Sequence, residues 1–240
     1  MELKIAHLYP EALNLYGDSG NILCLRKRAE WRGISVSVTP LGMGEWPSLK
    51  DFDLFFLGGG QDYEQSLIER DLTEAKIREL RAAASDGKTF LGICGGYQML
   101  GEYYLTGEGV QLDYLAIGAF HTVAGKDRIT GNLLFDAGKL GTVVGYENHS
   151  GRTFLEKNDE ALGQVLSGCG NNGSDSTEGY HRANLFGTYC HGPVLPKNPA
   201  LADALLLSAL RERYALSELE PLDDDVEQRA HEAAAAMTRS

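Results

Sequence analysis

One short segment limits the folds open to this chain of 240 residues more than any other. The apolar run Thr89–Ile93 leads directly into Cys94, and a helix-like segment follows over Gly95–Tyr103. A cysteine in a glycine-rich turn between a buried strand and a helix is typical of a nucleophile elbow, where small neighbours allow a strained turn that lifts the side chain above the sheet. The start of the helix favours a thiolate. The segment therefore predicts a sheet with helices behind its strands and a reactive thiol at Cys94.

Strand-like and helix-like segments alternate through most of the chain, which predicts an α/β fold. Four segments have the apolar pattern of strands: Leu3–Leu8, Ile34–Val38, Phe52–Leu57 and Leu185–Tyr189. Helical patterns end near Arg32, run from a capping box at Asp71 and Glu74 to about Ala84, and cover Pro199–Tyr214. Strands and helices joined in this order by short links predict a doubly wound, mostly parallel sheet.

The pattern changes in the second half of the chain. Ala116–Val123, Asn132–Phe135 and Thr142–Gly145 are short, rich in β-forming residues and separated by Gly and Asn, which predicts an antiparallel β extension. Gly168–Gly179 has the composition of a mobile loop. We expect one domain over residues 1–215 and an acidic tail over 216–240 that is marginal helix or disordered.

Two further features point to the partners that a cysteine nucleophile needs. Gly58-Gly59-Gly60 ends a buried strand, so the amides of Gly60 and Gly95 are candidates for an oxyanion hole, although a glycine triplet alone is equally typical of a tight turn. Among six histidines, His191 is the candidate base, because it follows the strand Leu185–Tyr189 at the carboxyl edge where open α/β sheets place their sites.

Composition excludes several classes of function. The four cysteines form no CxxC pair, so we expect no metal site. The formal net charge of −12 argues against a nucleic-acid partner. No apolar run approaches the roughly 18 residues that span a bilayer, and no signal peptide pattern precedes Leu3, so we expect a cytoplasmic protein.

The segments that carry this chemistry also resemble a known family. Residues 92–101, with the elbow, are similar to the G-h-C-x-G-x-Q motif of class I (triad-type) glutamine amidotransferases, which have a flavodoxin-like fold. Blocks at 16–21, 57–61, 145–153 and 187–193 resemble the CobB/CobQ-like subgroup. The short length and the block YGDSGN are most similar to the stand-alone glutaminase subunits of lipid II isoglutaminyl synthase.

The resemblance implies a reaction and roles for particular residues. Cys94 attacks the side-chain amide of L-glutamine and forms a thioester, and His191 protonates the departing ammonia and then activates water. Arg128 matches the arginine that clamps the substrate α-carboxylate, and Gln98 borders the glutamine pocket.

The resemblance gives the neighbouring polar residues alternative roles. Asn148 and His149 lie in a block typical of the subgroup and are candidates to support the catalytic pair or the substrate. Asp18 and Asn21 are candidates to contact ligand or partner, although Asp18 suits a helix N-cap equally well.

One departure from the wider class concerns the third member of the triad. Class I domains carry a Glu two residues after the histidine, whereas His191 is followed by Gly192 and Pro193. The resemblance implies a carboxylate supplied by a synthetase partner, and hence a weak glutaminase until the two subunits dock.

The partner implied is a Mur-ligase-type synthetase subunit in a heterodimer. It binds ATP and magnesium and amidates the D-glutamate α-carboxylate of lipid II during peptidoglycan synthesis at the inner face of the membrane, while this chain holds no cofactor.

Three alternatives stay open at the level of sequence. The ammonia could serve another acceptor, such as a cobyrinic-acid-type carboxylate. Cys190-His191 resembles the cysteine–histidine elbow of DJ-1/PfpI-like hydrolases, with Cys190 as the nucleophile. The chain could also be a scaffold whose site has decayed.

Overall fold

The computed structural model describes residues 1–157 and 160–238 and divides their strands between two sheets. The strands are, in chain order, β1 (Glu2–Leu8), β2 (Ser35–Leu41), β3 (Leu54–Leu57), β4 (Thr89–Ile93), β5 (Tyr103–Leu105), β6 (Gln111–Asp113), β7 (Phe120–Asp136), β8 (Thr142–Leu155), β9 (Gly163–Ser167), β10 (Thr177–Glu178), β11 (Tyr180–Arg182), β12 (Leu185–Thr188) and β13 (Cys190–His191). The helices are α1 (Ser19–Glu30), α2 (Asp62–Asp71), α3 (Glu74–Ser85), α4 (Gly95–Leu100), α5 (Pro199–Tyr214) and α6 (Asp225–Thr238).

The first sheet confirms the predicted doubly wound α/β core. Its strand order is β11-β12-β4-β3-β1-β2, and every pairing is parallel except that of β11 with β12. Every residue of β3, β4 and β12 is buried, as expected for strands covered on both faces. The parallel register brings the carboxyl ends of these three strands to one edge, where Gly92 pairs with both Leu57 and Gly187.

The second sheet confirms the antiparallel extension, but its main strands are longer than the sequence suggested. Instead of short pieces, β7 has 17 residues and β8 has 14. The glycine and charged residues between Ala124 and Ile129 look in the sequence like the end of a strand. In the structure the register with β8 shifts there, and β7 continues on both sides of the shift. The short strand β13 pairs with β8 and so joins the two sheets immediately after β12.

Two helix boundaries differ from those predicted. The helix after the elbow ends at Leu100 instead of Tyr103, because the chain turns at Gly101 into β5. Asp71 does not start a helix: it ends α2, which the sequence analysis missed, and the hydroxyl of Thr73 caps α3 by accepting from Lys76 N.

The segment Gly168–Gly179, predicted as a mobile loop, is held by hydrogen bonds to its own residues and to β8. Asn171 and Thr177 are buried, and the Asn171 side chain donates to Thr177 and to the Gly179 carbonyl. Glu147 of β8 accepts from the backbone amides of Cys169 and Gly170. Here side-chain amides and carboxylates make the hydrogen bonds to backbone N–H and C=O groups that a neighbouring strand would otherwise make. A segment of polar composition is therefore packed against the rest of the protein.

The acidic tail is helical over Asp225–Thr238 and packs on the second sheet, although the division at residue 215 stays a prediction. His231 contacts Thr142 at 2.9 Å, and Asp224 pairs with the buried Arg28 of α1 at 2.6 Å. Residues 239–240 of the predicted tail lie outside the described residues. No helix within the described ranges is both long enough and apolar enough to cross a bilayer.

Candidate active site

The elbow has the strained backbone that its sequence predicted. Cys94 adopts φ 49° and ψ −106°, a conformation that a residue with a side chain rarely takes. A Cβ atom placed on Gly96 would lie 2.3 Å from the Leu57 carbonyl oxygen. The end of β3 therefore packs directly against the turn, and only glycine allows that approach.

A cavity of about 250 Å³ opens beside Cys94 at the carboxyl edge of the first sheet. Cys94 is 6 % exposed and contributes to its wall. The volume is below the range of about 300–1,000 Å³ usual for drug-sized ligands, so the cavity suits a small metabolite. The lining residues are Leu15, Gly60, Gln61, Asp62, Tyr63, Gln65, Cys94, Gln98, Arg128, Asn148, His149 and Ser150.

His191, the predicted base, lies beside Cys94. The residue is 1 % exposed and is placed by β13, one residue after Cys190 pairs with Glu147. Burial disfavours the imidazolium, but the nearby Asp18 carboxylate and Cys94 sulfur outweigh burial and raise the pKa of His191 to about 10. The arrangement therefore favours a protonated imidazole beside the Cys94 sulfur.

The two glycines predicted to form an oxyanion hole are adjacent in space. A Cβ atom on Gly95 would lie 3.0 Å from the Gly60 amide nitrogen, so the loop after β3 and the start of α4 meet at the cavity. Neighbouring amides are fixed by other bonds, since Gly59 N donates to Asp18 and Gly96 N donates to the Gly58 carbonyl. Their oxyanion role stays a prediction.

Gln98 lines the cavity as predicted, and its amide is held by a chain of buried hydrogen bonds. Gln98 Oε1 accepts from Gln65 Nε2 at 3.0 Å, and Gln98 Nε2 donates to the Tyr189 hydroxyl at 3.0 Å. The chain continues to Tyr114, which donates to Gln65, and to Thr153, which contacts Tyr189. With its amide committed in this way, Gln98 forms a rigid floor for the cavity.

Three further predicted residues, Arg128, Asn148 and His149, line the same cavity. Arg128 is exposed and stands at the rim, at the irregular part of β7. The Asn148 carbonyl is 4.0 Å from Cys94 Sγ. His149 is buried, stacks on Tyr189 with ring centroids 3.7 Å apart, and contacts the Gly151 carbonyl through Nδ1 at 2.8 Å. These contacts position His149 as a wall of the site.

Cys190 occupies a different environment from Cys94. It is fully buried, its sulfur faces Gly145, and burial raises the pKa of its thiol. A protonated, enclosed thiol is a poor nucleophile, which disfavours Cys190 as the reactive cysteine. Among the described residues no group of three or more His, Cys, Asp or Glu side chains could hold a metal ion.

Sequence reasoning missed two contributors to this site. Gln65 lies in α2, a helix that was not predicted. The one sequence signal for its start is a capping box, in which the Glu64 carboxylate accepts from the backbone N–H of Gln61, three residues earlier. Asp18 was considered as a helix cap or a ligand contact, but its carboxylate points at His191, with 3.7 Å between Asp18 Oδ1 and His191 Nδ1.

Comparison with known sequences shows the family of the chain. The model of the CobB/CobQ-like glutamine amidotransferase domain matches residues 4–199. The lipid II isoglutaminyl synthase (glutamine-hydrolyzing) subunit GatD of Staphylococcus aureus is 43 % identical over 226 residues, which cover 94 % of this chain and 92 % of that protein. The corresponding subunit of Streptococcus pneumoniae is 39 % identical over 231 residues, covering 94 % and 87 %. A probable cobyric acid synthase of Methanothermobacter thermautotrophicus is 32 % identical over 192 residues, which cover 74 % of this chain but 37 % of the synthase.

Solved structures confirm the fold class. A glutamine amidotransferase of Thermotoga maritima superposes with a TM-score of 0.52 at 15 % identity, covering 99 % of this chain and 95 % of that one. The glutaminase domain of Trypanosoma brucei CTPS with bound acivicin gives a TM-score of 0.53 at 12 % identity, covering 91 % and 98 %.

Proposed function

Because the chain belongs to the family of CobB/CobQ-like glutamine amidotransferase domains, we propose that it is the GatD-like glutaminase subunit of a lipid II isoglutaminyl synthase. In this proposal it hydrolyses L-glutamine to glutamate and ammonia, and a second subunit uses the ammonia. Support for the acceptor comes from the two GatD relatives, which match along most of their own lengths, 92 % and 87 %.

The observation that carries the proposal is the pairing of His191 with Cys94, and Cys94 lines a small cavity. The Cys94 thiolate attacks the carboxamide carbon of glutamine, and the carbonyl oxygen becomes an oxyanion held by the amides of Gly60 and Gly95. His191 donates its proton to the nitrogen, the C–N bond breaks, and ammonia leaves a thioester on Cys94. His191 then removes a proton from water, which attacks the thioester and releases glutamate and the free thiolate.

Recognition of glutamine divides between the rim and the floor of the cavity. The guanidinium of Arg128 offers two parallel N–H groups to the α-carboxylate. The fixed amide of Gln98 borders the side chain of the substrate. The distance between Arg128 at the rim and Cys94 at the elbow therefore limits the length of the substrate that can react.

We assign the synthetase chemistry to a MurT-like partner in a heterodimer. That partner binds ATP and magnesium and activates the D-glutamate α-carboxylate of lipid II for peptidoglycan synthesis. Ammonia passes between subunits, because ammonia released into water at neutral pH is protonated and loses its nucleophilic lone pair. The complex then works in the cytoplasm at the inner face of the membrane, where lipid II is found.

The test is amide transfer in the reconstituted complex. The chain is mixed with a MurT-like subunit, ATP, magnesium, lipid II and glutamine labelled with ¹⁵N in its side chain. Mass spectrometry then measures the ¹⁵N content of the lipid II product. We expect labelled amide in lipid II, complete loss with Cys94→Ala, and retention with Cys190→Ala. Loss of transfer with Cys190→Ala but not with Cys94→Ala would reject the assigned nucleophile.

A cobyrinic-acid-type acceptor is the second candidate, because a cobyric acid synthase is 32 % identical to this chain. The same assay with a cobyrinic-acid-type substrate and its synthetase distinguishes the two. Glutaminase activity that rises with that synthetase, and not with the MurT-like subunit, would favour it.

A further inference from the structure

The proposed reaction leaves one charged group of the substrate without an assigned partner. At neutral pH L-glutamine carries an α-carboxylate, an α-ammonium group and the side-chain carboxamide. The proposed function assigns the carboxylate to Arg128 and the carboxamide to Cys94. An ammonium group needs hydrogen-bond acceptors, and an ionised carboxylate is among the strongest of these. Among the described residues that line the cavity, Asp62 is the one carboxylate.

Asp62 is the first residue of α2, and the start of a helix explains only part of its placement. An acidic side chain in a first turn stabilises the helix dipole. The cap itself is formed by its neighbours, since the Glu64 carboxylate accepts from the Gln61 amide at 3.2 Å. The Asp62 carboxylate accepts instead from the Tyr104 hydroxyl, which lies 3.3 Å from each of its two oxygens. A neighbouring strand therefore holds this carboxylate, and the helix that it begins does not.

Tyr104 fixes the carboxylate beside the reactive end of the cavity. It is the middle residue of β5 and is 0 % exposed. Burial and the Asp62 carboxylate raise the pKa of Tyr104 to about 12, so its hydroxyl remains a hydrogen-bond donor at neutral pH. Cys94 also raises this pKa, so the hydroxyl has both the carboxylate and the nucleophile near it.

The Asp62 carboxylate retains the capacity to bind a cation. The residue is exposed, and among the described residues no Lys, Arg or His forms an ion pair with it. A carboxylate has about four lone-pair sites, and Tyr104 supplies one proton to them. An ammonium group carries a positive charge and several N–H donors. The charge and the remaining acceptor sites of Asp62 therefore match an ammonium group.

We propose that Asp62 binds the α-ammonium group of L-glutamine and so makes the cavity specific for the free amino acid. The inference rests on the proposed function, since it takes L-glutamine as the substrate. Arg128, Asp62 and Cys94 then hold the three different groups that the α-carbon carries besides hydrogen. Exchanging two of these groups would move both away from their partners. The site therefore distinguishes L-glutamine from D-glutamine.

The same contact excludes glutamine residues that already belong to a peptide. The α-nitrogen of such a residue is an uncharged amide with one N–H group. Binding it would leave the Asp62 carboxylate without its cation, and a site built for a polar group strongly rejects an analogue that lacks it. The cavity therefore takes nitrogen from free glutamine and leaves the side chains of peptides intact.

The experiment compares L-glutamine with glutaramate, which has the same carboxamide and carboxylate but no amino group. Both are tested as substrates of the full chain bound to its synthetase subunit. In Asp62→Asn, asparagine keeps an oxygen for the Tyr104 hydroxyl and removes only the charge. We expect kcat/KM for L-glutamine to fall by about 10- to 150-fold, mainly through KM, as for the loss of a charged hydrogen bond. The value for glutaramate should equal that of wild type.

Glu69→Gln is the matched control. Glu69 lies in the same helix and lines a neighbouring cavity of about 640 Å³, but it does not line the cavity at Cys94. The substitution removes the same charge and should leave kcat/KM unchanged for both compounds. A loss for L-glutamine in Glu69→Gln as large as that in Asp62→Asn would indicate a general effect of negative charge and reject the contact.

A second readout does not depend on glutaminase activity. Isothermal titration calorimetry with the Cys94→Ala chain, bound to its synthetase subunit, measures the Kd of L-glutamine without turnover. Adding Asp62→Asn should raise this Kd by about 10- to 150-fold, whereas adding Glu69→Gln should not change it. An unchanged Kd in the Asp62→Asn chain would overturn the assignment.

The outcomes separate the two proposals. Weaker binding of L-glutamine by the Asp62→Asn chain, when the wild-type chain hydrolyses no glutamine, supports the contact and rejects the function. Normal hydrolysis by wild type together with an equal loss for L-glutamine and glutaramate in Asp62→Asn, or with no loss for either, rejects the contact and leaves the function in place.

Discussion

Replacing His191 by glutamine tests whether the imidazole is held as a cation in the folded protein. The pKa of His191 is raised from 6.5 to about 10, because the nearby Asp18 and Cys94 outweigh the effect of burial. Between these values the folded chain binds a proton that the unfolded chain does not. The contribution of His191 to stability is therefore complete below pH 6.5 and is lost as the pH rises through about 10.

The magnitude follows from the size of the shift. One pH unit corresponds to about 1.4 kcal/mol, so the contribution amounts to no more than about 5 kcal/mol across the window. Coupling between Cys94 and His191 shares part of this energy between the two residues. We expect the free-energy difference between wild type and His191→Gln to shrink by about 2–5 kcal/mol from about pH 6 to about pH 10.

Urea denaturation at several pH values measures this difference directly. Repeating the pair of measurements with Cys94→Ser separates the part due to the thiol from the part due to Asp18. His181→Gln is the control of opposite sign, because burial lowers the pKa of His181, so its effect should appear only below about pH 6.5. A difference for His191→Gln that stays flat across the window would refute the ion pair.

Three further predictions concern single substitutions. Arg128→Ala should raise KM for glutamine by about 10- to 150-fold with little change in Tm, since a charged hydrogen-bonded clamp is worth about 1.5–3 kcal/mol. Steady-state kinetics measures this change in KM, with Arg182→Ala, at an exposed arginine, as the control. Gly96→Ala should abolish hydrolysis and lower Tm, because its Cβ would lie 2.3 Å from the Leu57 carbonyl, and a thermal melt with an activity assay checks both. Burial raises the pKa of Glu178 to about 7, so its neutral form is favoured on folding and stability is lost as the pH rises through that value. Glu178→Gln should be neutral near pH 5 and stabilising by no more than about 3 kcal/mol near pH 8 in urea denaturation.

Local sequence was sufficient for the core of the site. The strand, turn and helix around Cys94 are contiguous in sequence, so glycine spacing and apolar runs predict both the elbow and the parallel sheet that carries it. His191 was also predictable, because it follows an apolar strand and such strands end at the same edge of the sheet. The family resemblance added Arg128 and Gln98, and both line the cavity.

Tertiary structure decided what surrounds that core. The start of α1 meets the end of β12 only after the sheet has formed, so no local pattern tells whether Asp18 caps a helix or faces His191. The polar segment 168–179 shows the same limit, because its composition does not reveal that the distant Glu147 bonds its backbone amides. Composition likewise left the tail open between helix and disorder, and did not reveal that Asp224 pairs with Arg28. Short-range patterns fix backbone conformation through neighbouring residues, whereas a buried charge finds its partner through contacts between residues far apart in the chain.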